Sequence, residues 1–574
     1  MSKPQMTVDK EAQYDRQLRL WATSGQSNLE NSHIALINAS ATGCEVLKNL
    51  ILPGIGKYTI IDDRIVTHED LSSNFFLKLK DLDKKLAHCV KTNLNELNGD
   101  VTGFAIEKSL QEILDYDTDY KFWDQFHCVI VSNYTPKLDT LIDLLWNKRI
   151  PLLVVNTVGF YGSLNLIANE STVIETHDPS KLFDLRIDKP WPELQQYADS
   201  FRMDELNDQD HAHVPYIVIF IKALQFWKTT HNGEPPSTYN EKKSFKNLIE
   251  SMSRNINLET NFIEALQSCH RAFQKTELPQ SIKSLVESID SRPITAQTSI
   301  FWIYIAALRE FLLLNNNILP LPGKLPDMAS DSKNYTMLSR LYRDKAIKDQ
   351  ELFTNQVYKI LDQVGKPRDS ITSESIATFC KNTQLLFVTS GSKNLIADSL
   401  LSSLNSSCQL MEGSNSIETD MISIYVGILT FNAYIEEYKT PPTIDDLVEF
   451  ISIYQSKILK SNSSSNNDNN NNSSSSSKNS KNNKNKNSSS NSSNSSAESP
   501  FSPTHSTPQI QSSTLDIFKE ILIHNSTNYP NLSSLMGGVA SQEILKLTTA
   551  QYIPLDNLFV FDGIKSSSER FKIQ

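Results

Sequence analysis

Residues Asn38, Ser40 and Gly43 stand where a phosphate-binding turn would place its three glycines. The stretch His33–Leu50, HIALINASATGCEVLKNL, reads as an apolar strand, a short turn and an amphipathic helix. In a G-x-G-x-x-G turn the first two glycines let the backbone bend and approach a ligand's phosphates. The third lets the helix pack on the strand. Here only Gly43 is kept, and side chains at 38 and 40 would crowd a phosphate, although a helix N-terminus still attracts an anion. Asp62 lies about 20 residues beyond the turn, the spacing of a ribose-binding acid. The pattern reads as a nucleotide-binding fold kept for its structure rather than for its ligand.

Other residue types could carry other chemistry. Six cysteines, Cys44, Cys89, Cys128, Cys269, Cys380 and Cys408, are scattered without a C-x-x-C pair. That excludes the usual zinc spacings and a disulfide framework, and it fits a reducing compartment. A cysteine nucleophile needs a lowered pKa and an approachable site. Cys44 falls on an apolar helix face and Cys128 opens a buried strand. Cys89, Cys269 and Cys380 lie in helical patterns, which leaves Cys408, after LNSS in a loop, as the alternative nucleophile. His211 and His213 in DQDHAHVPY lack a third ligand nearby and read as capping or core residues rather than a metal site. In YDRQLRLW, Arg16 reads from spacing alone as an interface ion pair beside Tyr14 and Trp21. Arg19 shares its helical face.

The elements that must position these residues follow a βαβα alternation between Glu11 and Asn169. HIALIN, KYTIID, HCVIVSN and PLLVVN read as strands of a mostly parallel sheet, with helices through DKKLAHCVKTNLNEL and KLDTLIDLLWN. From about Glu170 to Ser513 the chain reads as a mainly helical insertion, with wide apolar faces in PYIVIFIKALQFWKTT, SIFWIYIAALREFLLL and MLSRLYRDKAIKDQELFTNQVYKIL. The aromatics Phe301, Trp302 and Tyr304 read as core. Within the insertion, 31 of the 36 residues from Ser461 to Ser496 are Ser or Asn, so this tract has almost nothing to bury and reads as a disordered surface insert. After it, Gly537-Gly538 precede a helix through VASQEILKLTT, and NLFVFDG completes the sheet. The expected fold class is α/β: a Rossmann-like domain in two parts, 1–169 and 514–574, interrupted by the insertion at 170–513.

Bulk properties agree. At 574 residues the chain is too long for one core, and two to four domains are expected. It is 39% hydrophobic and 21% charged, with a formal charge of −11, which argues against a broad basic surface for nucleic acid or anionic lipid. The polar N-terminus and the lack of any stretch of about 18 apolar residues indicate no signal peptide and no membrane span. A cytoplasmic or nuclear location is expected.

Several stretches together carry a resemblance. YDRQLRLWATSGQSNLENSHIALINASATGCEVLKNLILPGIGKYTIIDD resembles the start of the activating enzymes for ubiquitin and ubiquitin-like modifiers. It is most similar to the regulatory, non-catalytic half of the neddylation-activating heterodimer. SNFFL at Ser73–Leu77, LRIDKPWPEL at Leu185–Leu194, HAHVPYIVI at His211–Ile219 and GKLPDMASDSKNY at Gly323–Tyr335 agree in order. So do MGGVASQEILKL and LDNLFVFDG, and the matches run from Tyr14 to Gly563.

The resemblance implies two related adenylation halves, one binding ATP·Mg and the modifier and the other a degenerate copy. Active halves carry an Arg where this chain has Ser72-Ser73-Asn74-Phe75 and a magnesium-binding Asp where it has Ser132-Asn133-Tyr134-Thr135. A lysine expected after the Arg motif falls at Leu86, beside Lys84 and Lys85. No cofactor is therefore expected on this chain; ATP and Mg would belong to the catalytic partner subunit, in an obligate heterodimer. The resemblance makes Arg16 an arginine that reaches into the partner's ATP site, and it places the thioester cysteine and the modifier's adenylation on the partner, upstream of cullin modification. Only Ile564–Gln574 follow the last match, so recruitment of the conjugating enzyme also falls to the partner. A stand-alone nucleotide-binding enzyme with an atypical loop, and a scaffold protein, are the alternatives.

Overall fold

The computed structural model describes residues 8–117, 119–177, 183–397, 400–401, 417–459, 510–525 and 527–573. Two compact units are present. The first combines Met1–Ser171, Thr389–Thr549 and Pro554–Gln574; the second combines Thr172–Val388 and Ala550–Ile553. Cys408 and the Ser/Asn tract lie outside the described residues.

The strands are β1 (His33–Ile37), β2 (Lys57–Ile61), β3 (Thr102–Ile106), β4 (Cys128–Ser132), β5 (Leu152–Val158), β6 (Tyr161–Ile167), β7 (Ser171–Val173), β8 (Phe387–Thr389), β9 (Leu558–Asp562) and β10 (Ser567–Phe571). Eight of them form one sheet in the order β10-β9-β6-β5-β4-β1-β2-β3, while β7 and β8 pair separately. The five strands β5, β4, β1, β2 and β3 run parallel, and β6, β9 and β10 add antiparallel strands. In β1, Ile37 lies opposite Ile61 on one side and Val131 on the other, so the strand order reverses between β1 and β4. Open α/β sheets bind their ligands at that switch point, beyond the carboxyl ends of the strands.

The apolar run of β1 divides with a period of two, as a strand buried on both faces must. Ile34 and Leu36 enter a core with Val46, Leu47 and Leu50 of the helix Ala41–Ile51 and Met536, Ala540 and Ile544 of the helix Pro530–Thr549. Ala35 and Ile37 enter a second core with Val129, Val131 and the helix Leu138–Lys148. A Cβ at Gly537 would come within 2.6 Å of Glu45 Cβ, so the Pro530–Thr549 and Ala41–Ile51 helices cross at close range. The sequence pattern expects Gly537-Gly538 ahead of a helix. Instead the helix begins at Pro530 and both glycines sit inside it, where the absent side chain of Gly537 allows this crossing while Gly538 faces open space.

The fold has more strands than the alternation suggests. β3 is a short edge strand, TGFAI, half-exposed and containing a glycine; β10, SSERF, is largely polar. β6 follows β5 through a tight turn and runs antiparallel to it. Residues 417–459, which the sequence reading places inside the insertion, group with the first unit. The helix Ile417–Tyr438 joins a core with Tyr161, Leu558, Val560 and Phe518.

The second unit is mainly helical. Its 33-residue helix, Ser332–Val364, serves two cores: Leu338 and Tyr342 pack with Tyr216, Phe220 and Phe262, and Phe353, Val357 and Leu361 pack with Phe301, Trp302 and Tyr304. The three aromatics are core residues. Among the described residues no helix is long and apolar enough to cross a membrane.

Candidate functional site: a closed crevice and an exposed arginine

The turn at the carboxyl end of β1 is closed by its own side chains. Asn38 has φ of 63°, the left-handed conformation a first-position glycine would supply and one that asparagine tolerates better than most residues. Its side-chain amide reaches over the crevice and donates to the carbonyls of Ser132 (3.2 Å) and Tyr134 (2.9 Å) beyond β4. Ser40 caps the helix Ala41–Ile51, accepting from the Gly43 N–H at 3.2 Å, and its hydroxyl lies 2.5 Å from that of Ser132. The Ala39 N–H donates to Asp62 at 2.8 Å. Thr42, the second residue of the helix, shares hydrogen bonds with Thr157 and Ser533. The Asn38, Ser40 and Thr42 side chains and the Ala39 and Gly43 N–H groups are thus engaged within the chain.

Gly43 is fixed by packing. A Cβ there would lie 2.8 Å from Leu36 Cδ1, 3.0 Å from the Asn38 carbonyl and 3.1 Å from Ser132 Cβ. The third glycine of the pattern is thus required where the helix meets the strand, as its type suggests.

The other elements of a nucleotide site do not fit ATP·Mg. Asp62, at the ribose-binding position, is buried and held by Arg64, with Nε 3.1 Å from Oδ1 and Nη2 2.7 Å from Oδ2. A ribose hydroxyl would have to displace a charge-assisted pair. In the Ser72–Phe75 stretch, which lacks the expected arginine, Ser73 donates to the Glu69 carbonyl at 3.1 Å and Asn74 is buried and donates to Cys44 Sγ at 3.2 Å. Past β4, Asn133 accepts from the Thr157 N–H at 2.9 Å, and Ser132 through Thr135 offer no carboxylate for a metal. Leu86 is buried at the start of its helix, while half-buried Lys85 donates to the Asp63 carbonyl at 2.8 Å.

None of the described cysteines is built as a nucleophile. Cys44, Cys89, Cys128, Cys269 and Cys380 are free and buried. Burial pushes the thiols of Cys44, Cys128, Cys269 and Cys380 up to about 12. His211 is a core residue: its Nδ1 lies 2.5 Å from Glu259, and its ring stacks on Phe262. His213 is turned back onto the Gln209 carbonyl. Among the described residues no cluster of three or more His, Cys, Asp or Glu could hold a metal ion.

The helix Asp15–Glu30 presents the exposed Arg16, which makes no ion pair or side-chain hydrogen bond among the described residues. Arg19 is exposed too but paired with Asp15, 2.9 Å away at i,i+4 spacing. Tyr14 and Trp21, expected from sequence to face a partner, are instead internal: Tyr14 is 1% exposed and Trp21 is 9% exposed. Asn98 donates to the Tyr14 hydroxyl, and the Trp21 indole N–H donates to Gln26, so both polar ends are satisfied inside the chain. Asn98, Gln26 and Arg64 escape a sequence reading. The one available signal is Gln26, a polar residue on the otherwise apolar face with Trp21 and Leu29.

Comparison with known proteins places this geometry. The ThiF family model matches residues 14–574. The chain is 40% identical over 387 residues to the NEDD8-activating enzyme E1 regulatory subunit of Xenopus laevis, covering 66% of this chain and 72% of that one. It is 30% identical to the proteins of the same name from Danio rerio, covering 99% of both chains, and Gallus gallus, covering 100% of both. The chain belongs to the ThiF family, among the NEDD8-activating enzyme E1 regulatory subunits.

Proposed function

We propose that this chain is the non-catalytic half of a heterodimer that activates a ubiquitin-like modifier of the neddylation type, and that Arg16 acts at the nucleotide site of the catalytic partner. The observation that carries this reading is the contrast within the first unit. The crevice is occupied by Asn38, Ser40 and the Asp62–Arg64 pair, whereas Arg16 is exposed and has no side-chain partner among the described residues.

Under this reading ATP and Mg are bound by the partner, which adenylates the modifier and captures it as a thioester on its own cysteine. A guanidinium delivered across the subunit boundary offsets negative charge that builds as the adenylate forms. The free thiols support a cytoplasmic or nuclear location, and the charge of −11 supports protein rather than nucleic-acid partners.

The test is ATP–pyrophosphate exchange by the reconstituted heterodimer. Arg16→Ala is expected to lower the exchange rate by roughly 10²- to 10³-fold, the usual loss when a positioned charge-stabilising donor is removed, with the heterodimer intact. An unchanged rate would remove Arg16 from the reaction, and micromolar ATP binding by this chain alone would overturn the closed-crevice reading.

A further inference from the structure

One turn supports both ends of the segment that carries Arg16. The helix Ala41–Ile51, which starts at the closed crevice, runs into the turn Leu52–Gly56. At the near end of the Arg16 segment, Tyr14 is buried and its hydroxyl accepts from Asn98 Nδ2 at 3.0 Å. The same Nδ2 donates to the Ile51 carbonyl at 3.0 Å. The Tyr14 ring end lies against Gly54, whose φ of +91° favours glycine and where a Cβ would come 2.8 Å from the tyrosine oxygen.

At the far end the helix breaks. Trp21 (φ −124°) and Ala22 (φ 54°, ψ −177°) leave helical geometry, and the indole is turned inward. Its N–H donates to Gln26 at 3.0 Å, and buried Gln26 donates to the Pro53 carbonyl at 3.1 Å. Residues 15–20 are therefore a short helical span held at both ends by residues 51–54. Within it Arg19 is tied to Asp15, and Arg16 projects without a partner among the described residues.

We infer that Tyr14 is a positioning residue for Arg16, acting through Asn98 and the Ile51–Gly54 turn. The inference rests on the role proposed for Arg16 above. A charge supplied from one subunit to another must arrive in register, because a displacement of about 1 Å is enough to cost about 100-fold in rate. A hydroxyl locked between a buried amide and a glycine that admits no side chain sets that register. The interaction is intramolecular, so it tunes the arginine without being part of the subunit contact.

The heterodimer assembled with the catalytic partner tests this in a double-mutant cycle of Tyr14→Phe and Arg16→Ala. Exchange rate, KM for ATP and subunit stoichiometry are the readouts. Tyr14→Phe is expected to lower kcat by about tenfold with KM changed less than about twofold, and to lower it no further when Arg16 is already alanine. Equal losses in both backgrounds, or no loss from Tyr14→Phe where Arg16→Ala is slow, would overturn the inference. If Arg16→Ala alone leaves the rate unchanged, it is the proposed role of Arg16 that fails. Asn98→Ala removes the donor and keeps the ring and hydroxyl, and it distinguishes the same outcomes should the Tyr14→Phe heterodimer assemble poorly.

Discussion

The Asn38 side-chain amide donates to the Tyr134 carbonyl at 2.9 Å, joining the ends of β1 and β4 where an open α/β sheet ordinarily admits its ligand. One residue thus supplies both the left-handed turn that the first glycine of a phosphate loop would make and the group that fills the space beyond it.

The two contributions separate in substitutions at Asn38. Asn38→Ala leaves two carbonyls without their donor and places alanine at φ near 63°, and it is expected to destabilise the first unit by about 2–3 kcal/mol. Asn38→Gly loses the same hydrogen bonds but relieves the backbone, so its cost is expected to be about 1 kcal/mol smaller. Neither restores ATP binding, because Asp62 stays with Arg64 and no carboxylate stands near Ser132. Denaturant unfolding and titration calorimetry check both statements; ATP binding by Asn38→Gly would show that Asn38 alone closes the site.

Gly43→Ala tests the packing glycine. The added methyl meets Leu36, the Asn38 carbonyl and Ser132 at 2.8–3.1 Å, and an overpacking cost of about 1–3 kcal/mol outweighs the gain of up to about 1 kcal/mol from replacing glycine in a helix. A melting temperature equal to or above that of the parent would contradict the close approach.

His33 gives the first unit a pH dependence. Burial, Lys57 and His127 lower its imidazole from 6.5 to about 4, and its Nε2 lies 2.8 Å from the Thr59 hydroxyl. The folded value is below the unfolded one, so the unfolded chain takes up the proton first as the pH falls. The stability His33 contributes is fully present above pH 6.5 and lost on acidification towards pH 4. The upper bound on that loss is about 3 kcal/mol, and roughly 1–2 kcal/mol is expected once solvent reaching the ring is allowed for. His33→Asn should flatten the stability curve in that window; parallel curves for the two proteins would rule the residue out as its source.

The thiols offer a chemical check. Cys44, Cys128, Cys269 and Cys380, buried and pushed up to about 12, should resist alkylation in the native protein at pH 8 and react only on unfolding. Peptide mass spectrometry after timed alkylation resolves each site. Rapid native labelling of any of the four would contradict its burial.

The sheet around β1 was legible because its strands are apolar on both faces and its turn residues keep their spacing. β3 and β10 were not, since TGFAI and SSERF are edge strands whose exposed positions carry little apolar pattern. At the crevice, the packing role of Gly43 follows from residue type, but the bridging role of Asn38 depends on contacts more than 90 residues away along the chain. Tyr14 and Trp21 misled for a related reason: an aromatic with a polar tip suits an interface or a core equally, and only its partners, Asn98 and Gln26, decide.

The late return of the chain to the first unit has a consequence during synthesis. β9 pairs with β6, and the helix Pro530–Thr549 supplies Met536, Ala540 and Ile544 to the core over β1. As the chain leaves the ribosome, β1 through β6 emerge with that face uncovered and wait for several hundred residues before their lid is made. The second unit, with all but four of its residues between Thr172 and Val388, meets no such delay. The order of birth and the order of folding are therefore expected to be inverted, the helical unit maturing before the N-terminal strands gain their cover.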